Sequence, residues 1–198
     1  LQLRTVRVNV GPVIKQGPPM YSDKTLLPKE CLRLCALGTL ALSEKPISYG
    51  DLANEVRHFM SHIMGPSLDM MGSSLQLLKL EGLVKEDTSS GGLSDAQLSL
   101  TDAGHKKFIE LMQGNVRDTS GELSRLIMAL KMRFLHLLDH DIRTEQIEIL
   151  QDVCELDLER VLALRDEHAK EAENFTSWLE MEVKRLEQKR DWLKSLSA

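Results

Sequence analysis

The stretch "LKLEGLVKED", residues 78–87, constrains this chain more than any other. Up to Glu81 its apolar residues recur at helical steps; after Gly82, "LVKED" alternates with the period of a strand. Glycine commonly closes a helix in the left-handed conformation, so the spacing predicts a helix, a tight turn and a strand within about ten residues. "AQLSL", residues 96–100, supplies a second strand, and the turn-rich "TSSGGLSD" joins the two as a hairpin.

Upstream, the pattern predicts three short helices. The first opens at Pro28, where a missing N–H costs nothing, and Leu32, Cys35, Ala36 and Leu40 form its apolar face until Pro46. Ser48 with Asp51 reads as a capping box for a second helix, with Leu52, Val56, Phe59 and Met60 as its stripe. The third spans about 67–81, with Leu68, Met71, Leu75 and Leu78 turned inward. Before these, "RTVRVNV" reads as a short strand or extended arm, followed by Gly and Pro that exclude a long helix.

A fourth helix begins near "LTDAGHKKF", with Thr101 or Asp102 as its cap, and the character changes at Gly114. Beyond Thr119 the chain is nearly free of Gly and Pro. "TSGE" suggests a capping box from Thr119 to Glu122, ahead of a stripe of Leu123, Leu126, Ile127, Leu130, Phe134 and Leu137. A long helix over about 141–173 follows, carrying Ile147, Leu150, Cys154, Leu158 and Val161 at helical spacing. Ser177 and Glu180 suggest a cap for the last helix, whose seam is Leu179, Val183, Leu186 and Leu193, with Trp178 beside it. Such narrow stripes need partners, and long antiparallel helices commonly find them in a second copy of the chain. Leu130, Phe134, Leu158, Val161, Trp178, Leu179, Val183, Leu186 and Leu193 are therefore the expected dimer contacts of a coiled-coil tail.

The expected fold is mainly α: an arm over 1–27, a winged helix-turn-helix domain with a small β-hairpin over 28–113, and long antiparallel helices for dimerisation over 114–198. Three short helices followed by a hairpin form a recurring DNA-binding unit, in which the third helix fits the major groove and the wing follows the backbone. On that footing Gln76 pairs with adenine, Ser67, Ser73, Ser74 and Tyr49 reach phosphates, and Lys79, Lys85, Arg4 and Arg7 supply charge. The bland alternatives are a solvated helix face and, for Tyr49, a boundary aromatic. The net charge of −5 does not mark a nucleic-acid binder. Residues 1–27 carry +3, whereas residues 28–110 carry −3 and residues 111–198 carry −5.

Other chemistry finds little support. His58 with His62, and His136 with His140, have the spacing of helical chelating pairs, but neither has a local third ligand, so no metal is expected. "HLLDH" lacks the glutamate of a zinc-protease helix. No phosphate loop, nucleophile elbow or catalytic carboxylate pair appears, so neither an enzyme nor a cofactor is expected. Met60, Met64, Met70 and Met71 are core filling or the lining for a small apolar effector. Three cysteines form no disulfide framework, and no apolar run is long enough to cross a bilayer or to act as a signal peptide. A cytoplasmic protein is expected.

"LQLLKLEGLV", "LSLTDAG", "IMALKMRFLHLLD" and the ending "RLEQKRDWLKSL" together resemble the PadR-like winged-helix transcriptional regulators, of the subgroup with a tail like that of virulence-gene activators. The resemblance covers about residues 30–196 and implies a homodimer that presents two winged domains to an operator in double-stranded DNA. The rival expectation is a dimeric winged-helix protein that has lost specific DNA binding and contacts another protein instead. An acidic surface near residues 67–85 favours the rival, and a basic one favours DNA.

Overall fold

The computed structural model describes residues 24–65, 71–87 and 96–196. Its elements follow in the order α1 (Pro28–Leu42), β1 (Ile47–Ser48), α2 (Tyr49–Met64), α3 (Met71–Leu80), β2 (Val84–Asp87), β3 (Gln97–Leu100), α4 (Asp102–Met112), α5 (Glu122–Phe134), α6 (His140–Glu167) and α7 (Glu173–Ser195). The fold is mainly helical with a small antiparallel sheet in the order β1-β3-β2, a winged helix-turn-helix carrying a helical tail. The hairpin register pairs Val84 with Leu100 and Asp87 with Gln97. The two-residue strand β1, too short to leave a periodic signal, completes the sheet by pairing Ile47 with Leu98.

Local chemistry explains most boundaries. Pro28 opens α1, and the Glu30 carboxylate accepts the Leu27 N–H at 2.7 Å. Ser48 caps α2 as expected, its hydroxyl accepting the Asp51 N–H at 3.1 Å. Two expected caps are corrected. It is Asp118, not Thr119, that receives the free N–H groups before α5, from Gly121 at 2.7 Å and Ser120 at 2.9 Å. Helix α7 starts at Glu173, so Ser177 lies inside it. With no Gly or Pro after Ala172, the helix restarts as soon as the corner closes, where the Glu171 N–H donates to the His168 carbonyl at 3.0 Å.

One continuous apolar core runs from Leu26 to Leu193 and includes α5, α6 and α7. Helix α5 lies against α1 and α2. The Phe134 ring sits so close to Gly38 that a β-carbon there would lie 2.4 Å from it, which leaves glycine as the only fit. Arg133 joins the same junction, donating to the Glu55 carboxylate at 2.6 Å with its guanidinium 4.6 Å from the Phe59 ring centre.

This packing corrects the expected dimer seam. Leu130 and Phe134 are buried among the chain's own helices, and Leu158, Leu179, Val183, Leu186 and Leu193 are buried where α6 and α7 face each other. Val161 is half-buried against the same core. Of the expected contacts only Trp178 stands well exposed, at 49%. The narrow stripes are satisfied by a helical hairpin within one chain. A hairpin buries two seams without the entropy cost of association, so the stripe alone cannot specify a second copy.

Candidate nucleic-acid interface

The α3–wing turn has the geometry expected at Gly82. Its φ of +70° lies in the left-handed region, the Gly82 N–H donates to the Lys79 carbonyl at 3.0 Å, and the Leu83 N–H reaches back to Leu78 at 2.9 Å. This is a Schellman closure, which satisfies the last helical carbonyls and sends the chain straight into β2. Thr101 buttresses it from the far end of the wing. Its hydroxyl lies 2.8 Å from the Gly82 carbonyl and 3.0 Å from that of Leu83, and accepts the Gly104 N–H at 3.0 Å. Sequence reasoning identified Thr101 only as a helix cap; the tie to residue 82 spans nineteen positions, so no local signal revealed it.

The expected contact residues distribute unevenly. Leu75 and Leu78 are buried and anchor α3, leaving Gln76 exposed. Tyr49, half-buried at the start of α2, shares with Gln76, Lys79, Val84 and Glu86 a cleft of about 620 Å³ between α2, α3 and the sheet. Ser73 and Ser74 lie on α3. Ser67, Arg4 and Arg7 lie outside the described residues, as do Met70 and the whole expected arm before residue 24.

Electrostatics limits what this face offers an anion. The Lys79 ammonium is ion-paired with Glu86 across the turn, and Glu81 holds Arg33. Lys85 is exposed and makes no ion pair among the described residues. Beside these sit two exposed leucines, Leu77 at 44% and Leu80 at 81%. Full burial of Leu80 would be favourable by about 1.5–3 kcal/mol and that of the half-covered Leu77 by less, so a face that leaves them in water invites contact.

Away from this face, the rings of His58 and His62 approach to 4.2 Å between centres, and His62 Nδ1 lies 2.7 Å from the His58 carbonyl. Among the described residues no cluster of three or more His, Cys, Asp or Glu is placed to hold a metal. Burial pushes the thiols of Cys31 and Cys35 up to about 12, which leaves them unreactive. No helix among the described residues is long and apolar enough to cross a membrane. Lys131, on α5, is fully buried between α4 and α6. Its ammonium donates to the Met112 carbonyl at the end of α4 and to the Gln146 side chain on α6, and burial lowers its pKa to about 8.

No curated protein sequence matches the chain. Among solved structures, Bacillus subtilis PadR in complex with operator DNA is 17% identical, covering 84% of this chain and 96% of its own, with a TM-score of 0.35. The smu.1604c protein of Streptococcus mutans is 17% identical, with coverage of 86% and 98% and a TM-score of 0.35. Bacillus subtilis PadR in complex with p-coumaric acid is 16% identical, with coverage of 88% and 97% and the same TM-score. The family described as "Putative AphA-like transcriptional regulator" matches residues 21–197, nearly the whole sequence, and the chain therefore belongs to that family of transcriptional regulators.

Proposed function

We propose that the protein regulates transcription by binding operator DNA as a homodimer, with α3 in the major groove and the β2–β3 hairpin along the backbone. The reader is the unit over 28–113 and the helical part over 114–198 sets the spacing of two readers, in the manner of the virulence-activator subgroup. The observation that carries this reading is the Schellman closure at Gly82 buttressed by Thr101, which holds helix and wing at a defined angle to each other. Gln76, Ser73 and Ser74 lie on α3 as candidates for the DNA side, with Tyr49 and Lys85 flanking and Ser67, Arg4 and Arg7 completing the contacts.

Two copies pair through the outer side of the tail. Met181, at 54% exposure, and Trp192, at 45%, lie on the same side of α7 as Trp178, a stripe that flanks the buried seam and turns away from it at Met181 and Trp192. This stripe takes the role first expected of the buried seam.

Fluorescence anisotropy of a labelled duplex from the region upstream of the protein's own gene, at about 50 and 200 mM salt, tests the reading. Each neutralised phosphate contributes a slope of about −0.9 in log affinity against log salt. A sequence-specific complex with a slope of several units supports it; equal, weak binding to any duplex refutes it.

A second reading has a specific observation in its favour. Lys79 is neutralised by Glu86 while Leu77 and Leu80 are exposed, a combination better suited to a protein surface than to phosphates. In that case the winged fold serves protein contact, and the anisotropy titration stays flat.

A further inference from the structure

Two histidine pairs have the sequence spacing of a chelating helix, and the structure keeps only one of them on a helix. His136 and His140 are separated by a break: α5 ends at Phe134, a single 3₁₀ turn covers Leu135–Leu137, Leu138 is extended, and α6 opens at His140. His140 Nδ1 lies instead 3.4 Å from the Asp141 carboxylate. His58 and His62 both stand on the unbroken α2, on its solvent side, opposite the buried Leu52, Val56 and Met60.

Their geometry is that of a clamp. The ring centres are 4.2 Å apart and the planes are tilted by 46°, so the rings adjoin without stacking flat. His62 Nδ1 lies 2.7 Å from the His58 carbonyl. A carbonyl only accepts, so Nδ1 carries the hydrogen, and in the neutral ring the lone pair is left on Nε2. Ligating histidines are commonly oriented in this way, with one ring nitrogen tied to a carbonyl and the other presented to the ion. The His58 ring makes no hydrogen bond among the described residues and is free to turn toward its neighbour. An ion about 2.0–2.1 Å from each nitrogen at the tetrahedral angle holds the two nitrogens about 3.3 Å apart, which rings this close reach by small side-chain rotations.

The surrounding charge permits a cation. Helix α2 carries Asp51 and Glu55 against the single fixed cation Arg57, whose guanidinium donates back along the helix to the Asn54 side chain at 2.9 Å. Glu55, one turn before His58, is taken by Arg133. The protein thus offers two ligands rather than three. That excludes a closed structural site among the described residues, but it leaves an open one whose remaining positions belong to water or an external ligand.

We propose that His58 and His62 form a surface site for a divalent transition-metal ion of the zinc, nickel and copper class, bound through Nε2 of His62 and one nitrogen of the His58 ring. Imidazole selects these ions over magnesium and calcium, which take oxygen ligands. The ion ties together the last turns of α2, just before Gly65, where the chain leaves for α3. The clamp exists only on the folded helix, so the metal stabilises the folded chain. The site does not depend on the reading of the protein as a regulator.

The test uses the full chain without an affinity tag, stripped by a chelator and titrated with Zn²⁺ by calorimetry near neutral pH. The expected result is saturable binding of one zinc ion per chain, with Mg²⁺ at least about tenfold weaker. His58→Gln and His62→Gln each weaken zinc at least about tenfold, and both side chains are exposed, so the variants keep the fold. The double variant His136→Gln with His140→Gln binds zinc as the native chain does. Loaded with copper(II), the native chain shows electron paramagnetic couplings to two imidazole nitrogens, and either single variant shows one. Absence of saturable zinc binding, an affinity that survives both single substitutions, or an affinity lost in the double variant overturns the proposal.

Discussion

Lys131 offers the sharpest test of how α4 and the wing are joined to the helical tail. It is the one buried lysine among the described residues, at 0% exposure, and its ammonium is held by the Met112 carbonyl and the Gln146 side chain. Burial lowers its pKa from the ordinary 10.5 to about 8, a fall only partly opposed by Glu145. The folded state therefore favours the neutral amine. Below about pH 8 both folded and unfolded chains are protonated, and folding bears the full cost of burying the charge. Between about 8 and 10.5 the folded chain has released its proton while the unfolded chain still holds one, so stability rises with pH. At 1.36 kcal/mol for each pH unit, the gain reaches about 3 kcal/mol by pH 10.5.

Urea unfolding at intervals from pH 7 to 10.5, on the native chain and on Lys131→Met, measures it. Methionine fills similar space without a charge, so the variant lacks this proton linkage, whatever constant offset comes from leaving Met112 and Gln146 without their donor. All other titrating groups are common to both chains and cancel in the difference. The native chain is expected to gain on the variant steadily across that window. Parallel curves would refute the reasoning and mean that Lys131 stays hydrated in the folded chain.

Four further outcomes follow from particular contacts. Gly38→Ala drives a methyl into the Phe134 ring and is expected to destabilise by about 1–3 kcal/mol, read as a fall in Tm of several degrees. Gly82→Val strains a left-handed position at a cost of at least about 1 kcal/mol, and, where α3 and the wing read DNA, weakens duplex binding without changing oligomeric state. Glu86→Gln releases Lys79 from its ion pair; the DNA reading expects tighter binding and a salt slope steeper by about one, whereas the protein-contact reading expects no change in duplex affinity. Met181→Asp with Trp192→Asp places two charges in the outer stripe of α7; where two copies pair through that stripe, light scattering shows the doubly substituted chain as a monomer and the native chain as a dimer, with helix content preserved.

What the sequence could settle by itself was local. Ser48 followed by Asp51 capped α2, Pro28 opened α1, and Gly82 closed α3, because each depends on backbone groups within a few residues of the side chain that serves them. The alternation of "LVKED" and "AQLSL" and the helical periods on either side were likewise legible, since period is a property of one element, and with them the winged fold. The candidate site was legible in its helix and hairpin, though not in its charge. The Lys79–Glu86 pair crosses the turn, and Leu80 is apolar yet faces water. Tertiary structure decided the rest. An amphipathic stripe declares that a helix needs a partner without naming it, so Leu158, Leu186 and Leu193 read equally as a seam between copies or within one hairpin, and only packing chose. Lys131 reads as a surface residue until α4, α5 and α6 enclose it. Arg125, Arg160, Arg185 and Lys189, which line one cleft from three separate helices, have no shared pattern along the chain; they meet only because α5, α6 and α7 fold together.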